Sequence, residues 1–141
     1  PPPRPAAPGE GRGETILLAE DDDAAREVSR DGLEALGYRV LTATDGLDAL
    51  RRWETRSGEI ALVLSDAIMP GMGGVELARE LRALQPGSKV VLMSGYPLPE
   101  ASRDAVLDWI QKPFSMDELG RRVRRALDTQ QGHPEASQEV P

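Results

Sequence analysis

Residues 17–25 read LLAEDDDAA: a run of apolar side chains stops at four consecutive acids, Glu20, Asp21, Asp22 and Asp23. Like charges crowded at the end of a strand repel one another, so the junction is either a solvated helix start or a place where carboxylates act together. The same pattern recurs down the chain. TILLA (15–19), IALVLS (60–65) and KVVLMS (89–94) are short, mostly apolar runs, each followed by polar residues and then by helical periodicity. Runs of this kind suit strands buried on both faces of a sheet. YRVLTA (38–43) and DWIQ (108–111) supply two more strands, and helices are expected over 24–36, 45–54, 74–84, 99–107 and 115–128. Five strands alternating with five helices predict an α/β domain. Its parallel sheet is covered on both faces, and its crossovers are right-handed.

The apolar periodicity also predicts which way each helix faces. Ala25, Val28, Gly32 and Leu36 are expected inward on the first helix, with Gly37 as its stop. Leu47, Leu50 and Trp53 share a face of the second, and Leu77, Ala78, Leu81 and Leu84 a face of the third. Prolines at 97 and 99 predict a short or irregular fourth helix. The last helix opens with a capping box, Ser115 and Glu118, and buries Leu119, Val123, Ala126 and Leu127. Its outer Arg121, Arg122, Arg124 and Arg125 read as solvated surface rather than a nucleic-acid site. Of the four opening acids, Asp23 is expected as the N-cap of the first helix and Asp22 in solvent.

Composition narrows the function. The chain has 141 residues, enough for one domain with tails, and a net charge of −7 that speaks against nucleic acid or anionic membrane as a partner. It has no cysteine, so no disulfide frame, thiolate metal site or cysteine nucleophile. No apolar run reaches the ~20 residues that span a bilayer. The plain expectation is a cytoplasmic protein. The single histidine, His133, lies in a polar tail without metal-binding neighbours. Of 17 basic residues only Lys89 and Lys112 are lysine, so each raises the question of why arginine would not serve. Residues 1–13, PPPRPAAPGEGRG, have linker composition, 14–128 form the folded domain, and 129–141 read as a disordered polar tail. A start at Pro-Pro-Pro suggests a piece of something longer.

In parallel sheets of this kind ligands bind where the strands end. Here the strand ends carry Glu20-Asp21, Asp66, Ser94 and Lys112, which would surround one crevice. Clustered carboxylates suit a hard cation such as Mg²⁺, and an aspartate beside it can attack phosphorus. Lys112 would then neutralise a phosphoryl oxygen and Ser94 hydrogen-bond another. Two glycine-rich segments carry no phosphate-loop chemistry: GEGRGE (9–14) precedes the first strand, and PGMGG (70–74) lacks the lysine.

The segments ILLAEDD, LVLSDAIMPGMGG, VVLMSGY and WIQKPFSMDEL together resemble the receiver (response-regulator) domain of two-component signalling, along essentially all of 14–128. The resemblance implies a flavodoxin-like fold with strand order 2-1-3-4-5. It implies that Asp66 accepts a phosphoryl group from a phosphohistidine on a histidine kinase or histidine phosphotransfer domain. Asp21, Asp66 and the carbonyl of Ile68 would bind Mg²⁺, supported by Glu20. Ser94 and Lys112 would be the switch hydroxyl and the site lysine. Trp109 takes the aromatic switch position, or is an edge-strand aromatic packed on the last helix. Glu20, Ser94 and Trp109 depart from the commoner Asp, Thr and Phe or Tyr. On this reading the chain is no enzyme in its own right but a phosphoacceptor. It resembles the C-terminal receiver of a hybrid sensor histidine kinase, with a stand-alone regulator as the alternative. A homodimer through the fourth helix, fifth strand and fifth helix is a further expectation. A phosphorylation-independent module of the same fold is the rival. A Mg²⁺-dependent phosphohydrolase is disfavoured, because the position two beyond Asp66 is the apolar Ile68 rather than an acid.

Overall fold

The computed structural model describes residues 9–129. Five strands, β1 (Thr15–Ala19), β2 (Arg39–Ala43), β3 (Ile60–Asp66), β4 (Val90–Ser94) and β5 (Asp108–Gln111), form one parallel sheet in the order β2-β1-β3-β4-β5. The helices are α1 (Asp23–Ala35), α2 (Gly46–Arg56), α3 (Gly74–Leu84), α4 (Glu100–Arg103) and α5 (Met116–Asp128). This is the doubly wound, flavodoxin-like architecture expected from the sequence.

Successive strand side chains point to opposite faces, so each strand feeds two cores. Leu17, Ala19, Val63 and Leu92 face α2, α3 and the residues flanking α4, Leu98, Ala105 and Val106. Ile16, Leu18, Leu62, Leu64, Met93 and Ile110 face α1 and α5. The register aligns Ala19 with Ala43 and Ser65, Asp66 with Met93, and Ser94 with Gln111. All five carboxyl ends therefore reach one edge together.

α3 buries Leu77, Ala78 and Leu81 and α5 buries Leu119, Val123 and Ala126 as expected, whereas the faces of α1 and α2 differ in part from their sequence reading. On α1 the buried residues are Ser29 and Leu33, while Val28 is 65% exposed. Gly32 sits against Met116, so the α1 stripe is rotated by about one residue toward α5. On α2 Trp53 is buried as expected, but Leu47 turns outward at 46% exposure and Gly46 and Ala49 are buried in its place. Leu84, at the last turn of α3, is also exposed. Asp22, not Asp23, is the N-cap of α1: its Oδ1 accepts from the Ala25 N–H at 2.8 Å, and Asp23 pairs with Arg26 at 2.6 Å. The fourth helix shrinks to a single turn, since Pro97 and Pro99 delay its start, and a turn follows that buries Ala105 and Val106. Ser115 caps α5 through the Glu118 N–H at 3.1 Å. Three of the four arginines read as solvated surface are engaged. Arg122 grips Asp108 at 2.8 and 3.0 Å and the Trp109 carbonyl at 2.7 Å, Arg125 reaches Asp108 at 3.2 Å, and Arg124 pairs with Glu14 and Asp128. Lys89 donates from Nζ to the Leu127 carbonyl at 2.6 Å, closing the carboxyl end of α5. Within the expected linker, Gly9–Gly13 lie against the domain rather than apart from it; residues 1–8, and His133 with the tail from 130, fall outside the described residues.

Candidate functional site

Glu20 follows the last residue of β1, and its backbone N–H donates to the Ala43 carbonyl at 3.1 Å, extending the sheet by one step. That extension pulls the side chain in: Glu20 is only 3% exposed. Its Oε2 accepts from the Asp22 N–H at 3.1 Å, and Arg26 of α1 donates to its carbonyl at 2.8 Å. Asp66 ends β3 two strands-widths of hydrogen bonding away from β2, beside β1 in the register. One oxygen each from Glu20, Asp21 and Asp66 lie within 4.8 Å of one another. Lys112 enters from the far side. Its N–H is fixed by the Ser94 carbonyl at 2.7 Å, the bond to Pro113 is cis, and its Nζ lies 3.1 Å from Asp66 Oδ1 and 3.5 Å from Glu20 Oε1.

The electrostatics follow from this crowding. Burial raises the Glu20 carboxyl above the ordinary range, and the Asp66 charge adds to it, against the opposing pull of the Asp22 N–H and Lys112. Burial alone would depress Lys112, but its hydrogen bond to Asp66 and the charges of Asp66 and Glu20 outweigh it, so its ammonium is held above the usual lysine value. Three carboxylates against one ammonium leave an excess of negative charge around hard oxygen donors. This donor set fits a Mg²⁺-type ion, which accepts a few carboxylates and keeps waters in its remaining positions.

The loop after Asp66 explains a motif the sequence showed only as a turn. A Cβ at Gly74 would stand 2.4 Å from the Asp66 carbonyl oxygen and 2.8 Å from Leu92 Cδ2. Only glycine lets α3 start hard against the acid-bearing strand end. Its N–H donates to the Ala67 carbonyl at 2.9 Å, and Met69 is buried as the anchor of the loop. Ile68 projects outward, 70% exposed.

Two expected residues stand off from this cluster. Ser94 is buried, but its hydroxyl donates to the Tyr96 carbonyl at 2.6 Å and accepts from the Tyr96 N–H at 3.1 Å. Among the described residues no hydrogen bond joins it to Asp66. Trp109 does not pack on the last helix: β-strand alternation sends its ring to the face opposite α5, against the α2–α4 core. There the Arg103 guanidinium lies 5.6 Å from the ring centroid, with its Nε on the Leu98 carbonyl at 2.9 Å. Sequence reasoning missed Arg26, Arg103 and Arg122 as supports of the site and the β5 edge. Their partners are backbone carbonyls or residues distant in sequence, which no local pattern encodes.

A family model described as the response regulator receiver domain matches residues 16–124. Sensor kinase CckA of Brucella abortus is 39% identical over 120 residues, covering 82% of this chain and 13% of that protein. The response regulator receiver protein CpdR of the same organism is 34% identical over 118 residues, covering 79% of this chain and 95% of its own length. The chain thus spans a small part of one of these relatives and nearly all of the other. Response regulator protein TrrA of Thermotoga maritima, solved in complex with Mg²⁺-BeF, superposes with a TM-score of 0.75 at 32% identity, over 80% of this chain and 98% of that one. A solved complex of histidine kinase ThkA with TrrA matches at a TM-score of 0.74 and 32% identity, over 82% of this chain and 99% of the matched one.

Proposed function

The chain belongs to the response regulator receiver domain family, and from that premise we propose that it is the phosphoacceptor of a two-component relay, with Asp66 taking the phosphoryl group. The observation that carries this reading is the single crevice in which Lys112 Nζ lies 3.1 Å from Asp66 while Glu20 and Asp21 bring their oxygens within 4.8 Å of it. In the transfer, an Asp66 carboxylate oxygen attacks phosphorus as the bond from phosphorus to the partner's histidine nitrogen breaks, and the imidazole leaves with that electron pair. Lys112 meets the charge on a phosphoryl oxygen without a proton changing hands. Glu20, Asp21, Asp66 and the Ile68 carbonyl would hold Mg²⁺, which supplies positive charge at the reacting oxygens. Ser94 would leave Tyr96 to hydrogen-bond the phosphoryl group, so that β4 and α4 sense the modification. Trp109 would then follow α4 through its contact with Arg103, the last residue of that helix.

The donor in this proposal is a histidine kinase or a histidine phosphotransfer domain, consistent with the ThkA–TrrA complex. The similarity to CckA supports a place as the receiver of a hybrid kinase, and that to CpdR a stand-alone regulator. Self-association through α4, β5 and α5 belongs to the same proposal, with the one-turn α4 as its smallest part. Incubation with Mg²⁺ and a small acyl phosphate, followed by intact-mass measurement, tests the acceptor role. One phosphoryl group is expected on the wild type and none on Asp66→Asn. An unmodified wild type, or an equally modified variant, would return the chain to the rival reading of a phosphorylation-independent module.

A further inference from the structure

The segment before β1 does not trail away from the domain. The Gly11 N–H donates to the Leu36 carbonyl at 2.6 Å and the Gly13 N–H to the Gly37 carbonyl at 2.9 Å. These are carbonyls at the end of α1, which the helix itself leaves without partners. From the side, the Tyr38 hydroxyl donates to the Gly9 carbonyl at 3.4 Å. Arg124 of α5 donates to the Glu10 carbonyl at 3.3 Å and pairs with Glu14 at 2.8 Å. The steric fit is close on both walls. A Cβ on Gly11 would meet the Tyr38 ring at 2.7 Å, and one on Gly120 would meet Leu36 Cδ1 at 2.7 Å and the Gly9 carbonyl at 3.1 Å.

We propose that the corner between the end of α1 and the middle of α5 is a docking groove for this chain's own residues 9–13, which ties whatever precedes them to α5. Main-chain hydrogen bonds supply the register, and the missing side chains at Gly11 and Gly120 supply the room. A linker of glycine and charge would otherwise swivel freely. Docked, it leaves the domain in one direction, at the sheet edge opposite Asp66. Movement of α5 is then passed to the preceding residues rather than lost in a flexible joint.

Site-resolved amide hydrogen exchange on the full chain tests this. The Gly11 and Gly13 amides are expected to exchange at least about tenfold slower than unstructured glycine, whereas a swivelling linker gives no protection. Gly11→Val would collide with the Tyr38 ring from the segment's side, and it should bring the Gly13 amide to within about threefold of the unstructured rate while β3 amides keep theirs. Gly120→Ala supplies a second readout from the opposite wall: its Cβ would crowd the Gly9 carbonyl as well as Leu36, so it should lower the protection of both amides while β3 amides keep theirs. Unprotected amides in the wild type, protection that survives both substitutions, or protection that grows with protein concentration and so assigns the groove to a second copy would each overturn the proposal.

Discussion

Lys112 and Asp108 show how differently two ion-pair clusters can serve one fold. Lys112 is the cation of the acidic crevice, 3.1 Å from Asp66 and 3.5 Å from Glu20. Lys112→Gln should slow acyl-phosphate labelling of Asp66 about a hundredfold, the usual cost of a lost charge-stabilising donor. The same change leaves the crevice more negative, so calorimetry should find Mg²⁺ bound as tightly or more tightly. Asp108 serves β5 instead, held by Arg122 at 2.8 Å and Arg125 at 3.2 Å. Burial would raise its carboxyl, but the Arg122 hydrogen bond, the Trp109 N–H and the arginine charges outweigh this and hold it below the ordinary value of 3.8. A depressed acid stabilises the fold above that value and ceases to do so as pH falls through its lower folded one. Asp108→Asn should therefore cost about 1–3 kcal/mol at neutral pH. Denaturant midpoints compared between pH 7 and pH 3 should show the gap to wild type narrowing in acid. The acids and Lys112 were legible in the sequence because each follows or ends a strand, and a parallel sheet must bring those ends to one edge. Asp108 was not, since its partners lie 14 and 17 residues away on a helix whose arginines look like solvated surface.

Strand assignment survived from sequence to structure because buried parallel strands are continuous apolar runs bounded by polar residues. Helix orientation survived on α3 and α5 but only in part on α1 and α2, where a stripe shifted by one residue turns through about 100°. Val28 and Leu47 are apolar yet exposed, while Ser29, Gly46 and Ala49 take the inward places. Small residues are what lets α1 and α2 sit close: Gly32 meets Met116, and Gly46 meets the Met72 carbonyl. Periodicity weighted by hydrophobicity passes over such contacts. The one-turn α4 was foreshadowed by its prolines, but the turn that replaces its remainder, burying Ala105 and Val106, had no local signal. At this scale Lys89 offers a clean test, since its Nζ hydrogen bond to the Leu127 carbonyl joins the start of β4 to the end of α5. Lys89→Met keeps the apolar stem and removes the cap. Urea denaturation should show a loss of about 0.5–1.5 kcal/mol, with amide protection falling first in the last turn of α5.

Across the whole molecule the sheet separates two jobs. Its carboxyl edge gathers the acids and Lys112, and its amino edge carries the docked segment and the Lys89 cap. The helices between are held by apolar burial on both faces, so that changes at either edge are borne by packed elements rather than by loops. The two lysines sit at these opposite edges and are displaced in opposite directions: burial lowers the Lys89 ammonium, whereas Asp66 and Glu20 hold that of Lys112 high. Amine-selective acylation consumes the neutral form, so it discriminates between them. Labelling at Lys89 should rise or fall with the fraying of α5 that frees its Nζ from Leu127, and labelling at Lys112 with the occupancy of the acidic crevice. A chain that uses arginine nearly everywhere else thereby carries two distinguishable amines, one at each edge of its sheet, which a single acylating reagent reads by peptide mass.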